Sequence, residues 1–161
     1  MKPKLYLEST IPSYYVARPS RDLVTAAHQH ITRDWWARRA KDFEIYVSQI
    51  VMDEIGTGDR EMARLRLEAI AKFPILTASN EVTTLAEDLI RSGPLPAKAA
   101  QDAAHIAYSA VHGMHFLLTW NCTHIANAEM QDKIRQICER HGFKPPLICT
   151  PDELMKGPRH D

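Results

Sequence analysis

Five short apolar runs, each followed by a helix-length stretch, constrain this chain more than anything else in it. They are Leu5–Leu7, Ile45–Val47, Phe73–Leu76, Phe116–Leu118 and Leu147–Cys149. A run that is apolar at consecutive positions has no solvent face, so it reads as a strand covered on both sides. Strands of that kind alternating with amphipathic helices imply an α/β fold with a central, mostly parallel sheet flanked by helices.

The intervening stretches read as helices with identifiable ends. Leu23, Ala27, Ile31 and Trp35 recur every four residues and predict a helix with that row inward. Ser48 and Asp59 are expected N-caps, and Gly56 a stop. Val82, Leu85, Ala86, Leu89 and Ile90 follow the helical template from Asn80 onward. An alanine-rich helix is expected from about Ala97 to His112, and another from just after Asn127 to about Arg140. Thr150-Pro151-Asp152-Glu153 is a capping-box sequence. Gly93-Pro94-Leu95-Pro96 is the clearest connector and is too short for a domain boundary. One domain over 1–156 is expected, with 157–161 as a frayed tail.

Charge removes one class of function. Lys and Arg number 20, Asp and Glu 20, and the formal net charge is zero. A broad basic surface for non-specific nucleic-acid binding is therefore not expected, although a local patch is allowed. Cys122, Cys138 and Cys149 are widely spaced and form no C-x-x-C pair, so free thiols are expected rather than a disulfide frame or structural zinc. No segment reads as a signal peptide or a membrane span, and a cytoplasmic protein is expected.

Polar residues gather where the strands end, which is where open α/β sheets bind ligands. Glu8, Ser9 and Thr10 follow the first strand; Thr119, Asn121, Thr123, His124 and Asn127 follow the fourth. Glu54 lies on the short helix after the second strand, and Asp102 lies near the start of the alanine-rich helix, with His105 at i+3. Ser9 or Thr10 would also serve as an ordinary helix cap, Asn121 or Thr123 likewise, and His105 as a packed histidine. If Glu8, Glu54 and Asp102 converge, their mutual repulsion calls for a cation, and hard oxygen donors suit Mg²⁺ or Mn²⁺. Metal-assisted phosphate-ester hydrolysis is the chemistry such a site performs. Arg33, Arg38 and Arg39 are further candidates for phosphate contact, against the plainer expectation of a solvated helix face.

Four stretches together resemble the ordered acidic motifs of the PIN-domain family, in particular VapC-like ribonuclease toxins of type II toxin–antitoxin pairs. They are Tyr6-Leu7-Glu8-Ser9-Thr10, Val51-Met52-Asp53-Glu54-Ile55, Asp102-Ala103-Ala104-His105-Ile106-Ala107 and Leu117-Leu118-Thr119-Trp120-Asn121. The resemblance spans about Leu5 to Leu154. It implies a PIN-like three-layer fold, an Mg²⁺ or Mn²⁺ site, RNA cleavage, a homodimer and an antitoxin partner. Carried onto this chain, Glu8, Glu54 and Asp102 are the implied ligands, with Asn121 a neutral ligand or water anchor. Thr10, Thr119 and His105 stand behind them. Two positions depart from the pattern. Glu8 replaces the usual Asp and sets the carboxylate further out by about one carbon–carbon bond, ~1.5 Å. Asn121 replaces a fourth acid and removes one negative charge. These departures favour a competing expectation, a PIN-fold module that binds RNA or protein with weak or no catalysis. An unrelated α/β small-molecule enzyme or regulatory module is a third.

Overall fold

The computed structural model describes residues 1–156; the tail expected at 157–161 lies outside the described residues. The described residues form β1 (Lys4–Leu7), α1 (Thr10–Val16), α2 (Leu23–Arg38), β2 (Glu44–Ser48), α3 (Gln49–Ile55), α4 (Arg60–Ile70), β3 (Ile75–Leu76) and α5 (Asn80–Arg91). They continue as α6 (Ala100–Val111), β4 (Phe116–Leu118), α7 (Gln131–Arg140) and β5 (Leu147–Cys149). The sheet order is β3-β2-β1-β4-β5, and every pairing is parallel. Leu5, Tyr6, Leu7, Leu117 and Leu118 are fully buried, as strands without a solvent face require.

The strand order runs one way from β1 to β3 and the other way from β1 to β5. Right-handed crossovers then place α1–α4 on one face and α5–α7 on the other. The packing agrees: α1 lies against α2 and α4, while α5 lies against α6 and α7. The reversal also opens a crevice between the carboxyl ends of β1 and β4, the usual ligand position in such sheets.

Ser48 and Asp59 cap α3 and α4, and the Thr150 capping box forms as expected. Four details differ from the sequence expectation. β3 is only Ile75–Leu76, because Pro74 has no N–H for the ladder, although its carbonyl still accepts from Val47 N at 3.0 Å. α7 begins at Gln131, after turns in which Asn127 Oδ1 accepts from Glu129 N. The alanine-rich segment starts with a single 3₁₀ turn, Ala97–Ala99. On α2 the expected inner row holds only toward the C-terminal end: Trp35 is fully buried and Ile31 half-buried, whereas Leu23 is 85% exposed and Ala27 is exposed, and Gln29 and Thr32 are buried instead. The buried polar side chains of this strip are hydrogen-bonded. Gln29 accepts from Ser20 N and donates to Arg18 O, and Thr32 donates to His28 O.

Gly93, just after α5, lies close against Ile137 of α7. A Cβ there would lie 2.3 Å from Leu89 O and 2.7 Å from Ile137 Cδ1. Gly93→Ala is expected to cost about 1–3 kcal/mol by overpacking. Urea unfolding should show a lower midpoint with an unchanged m-value.

Candidate active site

A parallel strand and the helix that feeds its neighbour meet at the same edge of the sheet. β1 ends at Leu7, just before Glu8, α3 starts just beyond β2, and α6 must begin at this edge to deliver β4. Glu8, Glu54, Asp102 and Asn121 therefore line one open pocket of about 580 Å³. The four positions singled out in the sequence are brought together, and the crevice between β1 and β4 is where they meet.

Glu8 is held through a single oxygen. Its Oε1 accepts from Thr10 N at 3.1 Å, from Thr119 Oγ1 at 2.6 Å and from Thr10 Oγ1. The two hydroxyls in turn accept backbone N–H groups of the next turn, Thr10 from Trp120 and Thr119 from Asn121, both at 2.9 Å. The extended reach of Glu over Asp is thus taken up by two threonines from different strand ends. Glu8 is only 3% exposed, and among the described residues no hydrogen bond ends on its Oε2, which is not sealed either. That oxygen is the one offered to the pocket.

Glu54 repeats the pattern. Its Oε1 accepts from Ser9 Oγ at 2.8 Å and from His105 Nε2. Ser9 is therefore not the side-chain cap of α1 that its position suggests. His105 is fully buried and sits behind Glu54, not beside Asp102. Its Nδ1 meets Tyr6 Oη at 2.6 Å, and Tyr6 Oη meets Ser48 Oγ at 2.7 Å. A neutral imidazole with its proton on Nε2 satisfies the whole chain: Ser48 donates to Tyr6, Tyr6 to His105, and His105 to Glu54. Burial holds the Tyr6 phenol well above its ordinary range, so it stays a donor. Burial also raises Glu54, but the His105 contact and the Ser9 hydroxyl outweigh it, and the carboxyl lies below its usual range.

Asp102 occupies the first turn of α6, where the helix dipole favours negative charge. Its Oδ1 accepts from Asn121 Nδ2 at 3.0 Å, and its Oδ2 meets His124 Nδ1 at 2.9 Å. The amide oxygen of Asn121 accepts from His124 N at 3.1 Å. Each end of the Asn121 amide thus has a partner within the protein, and the residue still lines the pocket. His124 is the site residue that sequence reasoning did not assign. Its place in the Thr119–Asn127 cluster was the available signal, but the contact with Asp102 is a tertiary one.

The arginines are engaged within the protein. Arg33 donates to Tyr15 O and Ala17 O and so fastens α1 to α2. Arg38 pairs with Asp34 at 2.8 Å. Arg39 donates to Leu154 O and Asp42. Thr25 and Gln29, in the first half of α2, line the pocket, as does Ala17, whose carbonyl Arg33 holds; Arg38 and Arg39 lie at the C-terminal end of a helix roughly 24 Å long.

No family model and no curated protein matches the chain. Among solved structures, a chain of the VapBC2 complex of Rickettsia felis, bound to a DNA fragment from the promoter, superposes with a TM-score of 0.56. The match covers 91% of this chain and 97% of the other at 15% identity. The fold is PIN-like. At that identity the likeness concerns the path of the chain, and the chemistry must come from the side chains.

The pocket carries a donor set of hard oxygens. Glu8 Oε2 and Glu54 Oε2 are both left by the anchoring bonds, and Asp102 lines the same pocket. Among the described residues no three His, Cys, Asp or Glu side chains are drawn into a closed cluster. Asp102 is instead bonded to Asn121 and His124. The donor chemistry fits Mg²⁺ or Mn²⁺ and does not fit zinc, since Cys122 is exposed and His124 is turned to Asp102. Among the described residues no helix is long and apolar enough to cross a membrane.

Proposed function

We propose that the chain is a ribonuclease dependent on Mg²⁺ or Mn²⁺, acting as the toxin of a toxin–antitoxin pair. One observation carries the reading: three carboxylates from separate elements line one pocket at the sheet's crevice, and Glu8 and Glu54 each have one oxygen anchored and one left over. Glu8, Glu54 and Asp102 would hold the cation. Such an ion supplies Lewis-acid polarisation of the phosphoryl group and makes water more acidic.

The chain's own groups do the positioning. Thr10 and Thr119 fix Glu8, and Ser9 and His105 fix Glu54. Asn121 and His124 fix Asp102. The superposition on a VapBC2 chain supports a toxin–antitoxin setting. An antitoxin partner, a homodimer and a cytoplasmic location belong to the same proposal. A second reading has its own support. Asn121 replaces an acid and, with His124, occupies oxygens of Asp102, as in a PIN-fold module that binds RNA or protein with little turnover.

Incubation of the purified chain with defined single-stranded and hairpin RNAs separates the two. Cleavage with Mg²⁺ or Mn²⁺ that EDTA stops supports the ribonuclease. RNA retention with no new ends under any metal selects the binding module.

A further inference from the structure

We infer that Tyr14, backed by His28 and Trp120, forms a nucleobase-stacking subsite beside the acidic pocket, so that the site takes RNA with an unpaired base. This deepens the ribonuclease reading and rests on RNA being the ligand, but it does not depend on cleavage.

Three separate segments build the subsite: Tyr14 is on α1, His28 on α2, and Trp120 follows β4. His28 and Trp120 are stacked, with centroids 3.9 Å apart and planes at 11°. Tyr14 stands across both, 6.0 Å from His28 at 86° and 6.4 Å from Trp120 at 76°. Trp120 is fixed in place by its Nε1–H, which donates to Thr32 Oγ1 at 2.7 Å. This bond helps explain why the inner strip of α2 is polar.

Tyr14 has the position and the freedom of a contact residue. It lies four residues after Thr10, so it rises one helical turn above the hydroxyl that holds Glu8, and it lines the acidic pocket. Its neighbour Tyr15 is committed to packing, stacked on Trp36 at 4.1 Å and 11°. Tyr14 has no such parallel partner. Among the described residues no hydrogen bond reaches Tyr14 Oη or the ring nitrogens of His28, and none of these atoms is sealed from solvent. A half-buried ring with a free polar tip, one turn from a phosphate-directed acidic site, suits a base that flanks the phosphate. Base stacking tolerates any base, because each has a π face, and a base held in a duplex cannot take this place.

The test uses a fluorescein-labelled ten-nucleotide single-stranded RNA of randomised sequence and a matched abasic strand. Binding is followed by anisotropy in an Asp102→Asn background, which keeps the RNA intact. Tyr14→Leu should weaken the base-bearing strand about tenfold and leave the abasic strand unchanged. Tyr14→Phe, which keeps the ring, should recover most of the loss. Equal weakening of both strands, no weakening, or no binding of the base-bearing strand would overturn the subsite. Cleavage by the native chain is read separately. Base-dependent binding at Tyr14 without cleavage removes the nuclease and keeps the subsite. Cleavage with no base dependence at Tyr14 does the reverse.

Discussion

Asp102→Asn is expected to slow RNA cleavage by a hundredfold or more while leaving the chain folded. Loss of an outer-shell partner at a metal site typically costs roughly 10–100-fold, and loss of a charged ligand exceeds that. Asp102 is one of three carboxylates on the pocket, and only Glu8 and Glu54 would remain to hold a divalent ion. The variant has a way to keep its local contacts. The new amide oxygen can accept from Asn121 Nδ2, and the new amide N–H can donate to His124 Nδ1 if that ring nitrogen carries no proton. Removing one of three like charges also relieves repulsion when no cation is present. Single-turnover cleavage should therefore collapse while the melting temperature holds or rises. A large fall in melting temperature would mean that Asp102 is chiefly structural.

The second large effect is at His105. Replacing this fully buried ring with Leu keeps most of its volume but removes the donor to Glu54 and the acceptor for Tyr6. Leaving buried polar groups without a partner costs about 1–3 kcal/mol. At this chain length that lowers the melting temperature by roughly 3–10 °C. Tyr6 retains Ser48 and Glu54 retains Ser9, so the chain should still fold. Tyr6→Phe added to His105→Leu should recover part of the loss, since it removes one of the stranded groups. Activity should report the same change through pH. Without His105, burial is the main influence on Glu54 and pushes its carboxyl upward. Glu54 would then take up a proton at a higher pH than in the native chain. The acidic limb of the rate profile should shift to higher pH in His105→Leu. An unmoved limb would show that His105 does not act through Glu54.

The apolar runs were enough to locate β1, β2, β4 and β5, because a strand covered on both faces leaves a sequence with no polar alternation. Glu8, Glu54, Asp102 and Asn121 were legible because each falls where a strand ends or a helix starts, and in a parallel sheet those ends share an edge. The partners of these groups were less legible. His105 was expected beside Asp102 from its i+3 spacing, but α6 turns it inward to Tyr6 and Glu54. The reach of His124 to Asp102 crosses from the turns after β4 to α6. The expected inner row of α2 holds at Trp35 but not at Leu23 and Ala27, because periodicity counts apolar residues only, and this helix also buries Gln29 and Thr32, which bond to the preceding loop and to Trp120. Arg38 and Arg39 share the helix that borders the pocket, yet helix length carries them to its far end.

Calorimetric titration of the native chain with Mn²⁺, alongside Glu8→Gln, Glu54→Gln and Asp102→Asn, tests the central claim most directly. Glu8→Gln is the sharpest arm. Gln can keep its carbonyl oxygen on Thr10 and Thr119 while the free Oε2 becomes an amide, so the change is in charge rather than in shape. The account predicts saturable Mn²⁺ binding by the native chain and marked weakening in all three variants, each of which remains folded. Equal Mn²⁺ binding in the native chain and the three variants, or no binding in the native chain, would contradict it.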